Sequence, residues 1–113
     1  EIAGFFFRDD VPLDLEDLVP RKTTPAEALT SARRSYAILA ALPAFTNEAG
    51  EQPLRALAEE LGLSAGQVFS ILRAAVTGQR VSPPLFETMA IVGREKVLAR
   101  VQRAILALEN LPG

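Results

Sequence analysis

Helix starts and stops follow one another so closely in this chain that residues 24–109 have room for little besides short helices. Thr24-Pro25-Ala26-Glu27 and Ser64-Ala65-Gly66-Gln67 each set a hydroxyl residue three positions before Glu or Gln. In that arrangement the two side chains satisfy free N–H groups at a helix start reciprocally. Pro25 suits the first helical position. The stops are Pro43, which pushes the residue before it out of the α region, and Gly62, Gly78 and Gly93, the residue type that most readily ends a helix.

Between these marks apolar residues recur at helical spacing. Leu29, Ala32, Tyr36, Leu39 and Leu42 stripe a first helix that starts at Thr24 and ends near Leu42. Thr46 starts a second, which Gly50 and Pro53 are expected to break, with a restart near Glu51 or Gln52; its buried stripe is Leu54, Leu57, Ala58 and Leu61. Val68, Ile71, Leu72, Ala75 and Val76 form an amphipathic third. Ser82 caps a fourth, with Pro83 in the first helical position and Leu85, Phe86, Met89, Ala90 and Val92 as apolar surface. The last runs from about Arg94 to Glu109 and turns Val97, Leu98, Val101, Ile105 and Leu108 inward. No segment alternates apolar and polar residues as a half-buried strand does. The fold class is therefore all-α, a compact bundle of about five helices with short loops. Residues 1–23 read as an irregular junction segment punctuated by Pro12 and Pro20, anchored by Leu13, Leu15, Leu18 and Val19, with a single turn around Leu15–Leu18. Residues 24–113 read as one helical domain.

Composition narrows the chemistry. The 113 residues fit one domain that buries roughly 65% of its unfolded surface. Neither Cys nor His occurs, which removes thiolate chemistry, Cys-based zinc sites and the commonest general base and metal ligand. The acid pairs Asp9-Asp10, Glu16-Asp17 and Glu59-Glu60 read as solvated charges, because a catalytic pair needs a pocket that splits its two pKa values. No apolar run approaches the ~18 residues that span a membrane, and no secretory signal pattern opens the chain; a cytoplasmic location with no membrane partner is expected. The chain opens at Glu1 rather than Met and soon reaches Phe5-Phe6-Phe7, an apolar run that promotes association when exposed. The expectation is a piece of a longer protein, with the Phe run near a domain junction. The rival is a processed small protein that tucks the run into its own core.

Charge is unevenly spread. Net charge is −2 overall, but residues 1–71 sum to −5 and residues 72–103 to +4. The basic excess surrounds Leu72–Glu87, which reads as a helix end, a glycine stop, a short basic loop and a new helix start. The first turn of a helix leaves N–H groups without intrahelical partners, and a base edge or phosphate satisfies them. The rings of Pro83 and Pro84 offer apolar surface for a splayed base, and Arg73 or Arg80 can stack on a base or donate to its edge. Arg55 lies eighteen residues before Arg73 on the neighbouring helix. Each of these residues also has an ordinary role, Ser82-Pro83-Pro84 as a plain helix start and the arginines as surface charges. Only convergence on one place makes them readers.

The order Leu-Arg-Ala-Leu-Ala-Glu-Glu-Leu-Gly-Leu-Ser-Ala-Gly-Gln-Val (Leu54–Val68), then Leu72-Arg73, Val76-Thr77-Gly78, Ser82-Pro83-Pro84-Leu85-Phe86-Glu87 and Gly93-Arg94-Glu95, resembles the C-terminal anticodon-binding region of bacterial glutamyl-tRNA synthetases, which are class I. The opening Phe5-Phe6-Phe7-Arg8-Asp9-Asp10 resembles the link between that family's two anticodon-binding subdomains. The resemblance covers essentially the whole chain and is strongest from Leu54 to Leu98. It implies a helical cage that holds the anticodon loop of glutamate tRNA (tRNA-Glu). Arg55 and Arg73 match family arginines that contact the second and third anticodon bases, and Ser82, Pro83 and Leu85 match residues that shape the base pockets. Pro84 stands where relatives can have Gly, so Pro84 and Arg80 are auxiliary contacts. The family's catalytic Rossmann domain, its ATP-binding motifs and the preceding helical subdomain have no counterpart in these residues. The chain by itself is therefore expected to bind the anticodon arm weakly, without cofactor and as a monomer, while the rest of the synthetase attaches glutamate to tRNA using ATP and Mg²⁺.

Two other readings compete. One is a helical protein-interaction domain with no RNA role, holding a partner through Phe5–Phe7 and the acidic N-terminal half. The other is a helix-turn-helix DNA binder with Ser64–Thr77 as recognition helix. That helix carries Arg73 as its single basic residue, too few to neutralise several phosphates, so no DNA partner is expected.

Overall fold

A computed structural model describes residues 18–20, 22–78 and 84–111. Among them the chain forms five α-helices and no strand: α1 (Pro25–Ala41), α2 (Asn47–Leu61), α3 (Ala65–Thr77), α4 (Leu85–Val92) and α5 (Arg94–Glu109). The start signals act as expected. Glu27 N–H donates to Thr24 Oγ1 at 3.1 Å while Thr24 N–H donates to Glu27 Oε1 at 2.9 Å. Ser64 and Gln67 exchange the same pair of bonds at 3.1 and 2.7 Å, and Thr46 Oγ1 accepts from Ala49 N–H at 3.1 Å. Gly62 and Gly78 end α2 and α3 in the left-handed region at φ +74° and +73°. Gly93, at φ +98° and ψ 148°, joins α4 to α5 in a conformation that side chains rarely adopt.

Three expectations change. First, α2 is continuous from Asn47 to Leu61, through Gly50 and Pro53. Packing overrides the local penalties: Leu54, Leu57 and Ala58 are buried, and Gly50 is required by its neighbour. A Cβ at Gly50 would overlap the Phe86 ring. Second, the buried face of α1 is centred on Ala28, Ser31, Ala32, Ser35 and Leu39, whereas Leu29 and Tyr36 are only partly buried. Small residues let helices approach closely, and α1 makes its most extensive contacts with α5. The larger side chains lie at the flanks. Third, the described part of α4 begins at Leu85 with Pro84 as its N-cap, and Ala90 is exposed rather than packed. The capping by Ser82, the placing of Pro83 and the turn at Leu15–Leu18, apart from Leu18 itself, lie outside the described residues.

The middle of the bundle is α3. Val68, Ile71, Leu72, Ala75 and Val76 are buried as expected, and so are Ala74 and Thr77, so the C-terminal half of the helix is enclosed except where Arg73 lies. It touches α1, α2, α4 and α5. Leu18, from the segment before α1, is fully buried in the same core. The Gln67 amide reaches that segment, donating to Thr23 Oγ1 at 2.6 Å.

Two arginines close helix ends. Arg94 donates to the Leu39 carbonyl at 2.8 Å and also to that of Leu42, and its guanidinium lies 4.9 Å from the Phe45 ring centroid. It therefore places a cation against the last-turn carbonyls and negative dipole end of α1. Arg100 is 1% exposed and donates to the Val76 carbonyl at 2.7 Å, doing the same at the end of α3.

Gly50→Ala tests the seat of Phe86. Helix propensity alone favours Ala by up to about 1 kcal/mol, but overpacking costs about 1–3 kcal/mol. Urea unfolding is expected to show a net loss of stability, reduced when Phe86→Leu is added. A neutral or stabilising Gly50→Ala would contradict the packing.

Candidate nucleic-acid interface

Helical spacing assembles the site in pairs. Asn47, Glu51 and Arg55 follow one another at four-residue steps on one face of α2, and Phe69 and Arg73 do the same on α3. The seating of Phe86 against Gly50 brings the start of α4 between them. The result is a pocket of about 210 Å³ lined, among the described residues, by Asn47, Glu51, Phe69, Arg73, Pro84, Leu85 and Phe86.

Its apolar side is a pair of rings. Phe69 and Phe86 meet edge to face, with centroids 6.3 Å apart and planes at 81°. Phe86 is 4% exposed and Phe69 partly buried, so one ring is anchored and the other is partly open to a ligand. The polar side mixes donors and acceptors. Arg73 brings a cation, Glu51 a carboxylate, and Asn47 an amide. Arg55 stands just outside: its Nε donates to Glu51 Oε2 at 2.9 Å, and its guanidinium lies 5.8 Å from the Phe69 centroid. Both partners of that ion pair are about half exposed, so it is worth only about 0.3–0.5 kcal/mol and a ligand can displace either.

The structure thus brings Arg73, Pro84 and Leu85 together and sets Arg55 beside them through Glu51 and Phe69. Arg80, Ser82 and Pro83 lie outside the described residues. Asn47, Glu51 and Phe69 were missed in the sequence. The signal available was spacing, since Glu51 precedes Arg55 by four residues and Phe69 precedes Arg73 by four. Phe86 was expected as apolar surface but not as a wall of the site.

The rival chemistries fare worse. A helix-turn-helix reading needs α3 to lie in a DNA groove, yet α3 packs against all four other described helices and leaves mainly its N-terminal turn and the Phe69–Arg73 edge open. Glu60 of the Glu59-Glu60 pair is hydrogen-bonded to Arg34 at 2.6 Å. That bond and the guanidinium charge hold its carboxyl below the usual range; it is an exposed surface pair. No described helix is long and apolar enough to cross a membrane.

The model of the anticodon binding domain family matches residues 1–105. The chain belongs to that family. Over 112 residues the domain is 42% identical to a glutamate–tRNA ligase of Dehalococcoides mccartyi, covering 99% of this chain and 23% of that protein. It is likewise 42% identical over 108 residues to a glutamate–tRNA ligase of Roseiflexus castenholzii, covering 96% of this chain and 21% of that one. The domain therefore spans less than a quarter of these relatives' length. Among solved structures it resembles a crystal structure of a glutamate tRNA ligase from Elizabethkingia meningosepticum in complex with its amino acid, with a TM-score of 0.77 and 26% identity, covering 94% of this chain and 20% of that one.

The ring pair is open to a double-mutant cycle. Phe69→Leu and Phe86→Leu are expected to couple by about 0.5–1.5 kcal/mol in urea unfolding, whereas additive effects would mean that the rings do not support each other.

Proposed function

We propose that this domain reads the second and third anticodon bases of glutamate tRNA on behalf of a glutamate–tRNA ligase. The observation that carries the reading is the meeting of Arg73, Phe69, Phe86, Pro84 and Leu85 around one pocket in a chain of the anticodon-binding family. Sequence-specific RNA recognition targets unstacked loop bases, which stack on rings or guanidinium planes and are hydrogen-bonded along their edges. The pocket supplies both kinds of surface. Arg55 and Arg73 donate to base edges, Leu85 with Ser82 and Pro83 shapes the pockets, and Arg80 and Pro84 add contacts. The rest of the synthetase, its catalytic domain and a preceding helical subdomain, activates glutamate with ATP and Mg²⁺ and transfers it to the tRNA in the cytoplasm. The domain contributes recognition and no step of that chemistry, and it acts as a monomer.

Titration of this chain with a glutamate-tRNA anticodon stem-loop, followed by amide NMR shifts at low salt, tests the reading. Shifts are expected to cluster at Arg55, Arg73 and Leu85 and to vanish for a loop changed at both the second and third bases. Arg73→Ala is expected to weaken binding by 1–3 kcal/mol, roughly 5- to 150-fold. Added salt is expected to weaken binding of every loop. Equal shifts for both loops, or an Arg73→Ala variant that binds as tightly as the parent, would overturn the reading.

A further inference from the structure

A carboxylate lining a pocket for RNA works against affinity, because every phosphate nearby repels it. Glu51 is such a carboxylate. Its charge is offset by Arg55, whose Nε bonds Oε2 at 2.9 Å. That bond engages one carboxylate oxygen, and the other retains its full capacity to accept hydrogen bonds. Acceptor and donor thus line one cavity, Glu51 from α2 and Arg73 from α3, together with the edge-to-face rings of Phe69 and Phe86.

This pattern matches one class of base edge. Cytosine carries an amino donor at C4 beside acceptors at N3 and O2. The amino group can donate to Glu51 while N3 and O2 accept from Arg73. Uracil carries a carbonyl oxygen at C4, which would face the carboxylate oxygen with no hydrogen between them. We propose that Glu51 is a specificity-determining residue, which admits a base with an exocyclic amino group beside a ring acceptor and rejects one with a carbonyl there. Carboxylates accept from the cytosine amino group in the same way when proteins read base edges elsewhere. Rejection by an acceptor left facing a carbonyl oxygen is a means of discrimination distinct from added attraction. The inference rests on the RNA reading above and adds to it the chemical identity of the base edge.

The test uses this chain, its E51Q and R73A variants, and anticodon stem-loops carrying cytosine or uracil at the second or third anticodon position. Circular dichroism and urea midpoints check that the variants fold as the parent does. At one of the two positions the parent is expected to favour cytosine over uracil by about tenfold. In E51Q the amide can turn either its oxygen or its nitrogen to the base, so that preference is expected to collapse, mainly through tighter uracil binding. R73A is expected to weaken both loops. If the parent binds none of the loops, the RNA reading and this inference fall together. Suppose instead that the parent binds and R73A weakens it. Then E51Q weakening both loops equally, E51Q keeping the preference, or a parent with no cytosine preference at either position would overturn the role of Glu51 alone.

Discussion

The seating of the Phe86 ring against the Gly50 backbone is the contact on which the rest of this structure depends. It is a contact between helices remote in sequence, α2 and α4, and it works because position 50 has no Cβ. With Phe86 anchored there, its edge-on partner Phe69 is fixed from α3, and four residues beyond Phe69 stands Arg73. The same seat sets the height of Pro84 and Leu85 at the start of α4. One apolar contact thus registers three helices against each other, and the polar groups of the pocket follow from helical spacing.

Four of the described arginines fall into two classes by what they face. The half-buried Arg94 and the buried Arg100 close the carbonyl ends of α1 and α3. Buried cations are costly unless hydrogen-bonded, and a helix C-terminus supplies both acceptors and a favourable dipole. Arg55 and Arg73 stay at the pocket, Arg55 steered by Glu51 and laid toward a ring. The surplus of positive charge over residues 72–103 therefore overstates what a polyanion would meet. With two described arginines at the pocket, recognition leans on shape and base edges more than on phosphate attraction.

Caps and stripes made most of the fold legible before any coordinates. The Thr24 and Ser64 boxes, the left-handed glycines 62 and 78, and the Val68–Val76 stripe are local signals, and local hydrogen bonds realise them. What misled was a local signal overruled from a distance. Gly50 and Pro53 read as breakers, yet the helix runs through them, because Phe86 needs the space at Gly50 and the leucines beyond are buried. Likewise the true inner face of α1 carries Ser31 and Ser35, residues that a hydrophobicity count passes over and that close helix packing favours. In the site, Arg55, Arg73 and Leu85 were legible through a family resemblance; Glu51 and Phe69 depend on which faces of α2 and α3 meet, which no single helix reveals.

Intermolecular NOEs between this chain and a glutamate-tRNA anticodon stem-loop test the central claim most directly. The account predicts contacts from the ring protons of an unstacked anticodon base to Phe69, Pro84 and Leu85 of one pocket, with the Arg73 side chain at the edge of that base. Contacts confined to phosphate-proximal ribose protons, or base contacts on another face of the bundle while the Phe69–Phe86 pocket stays silent, would contradict it.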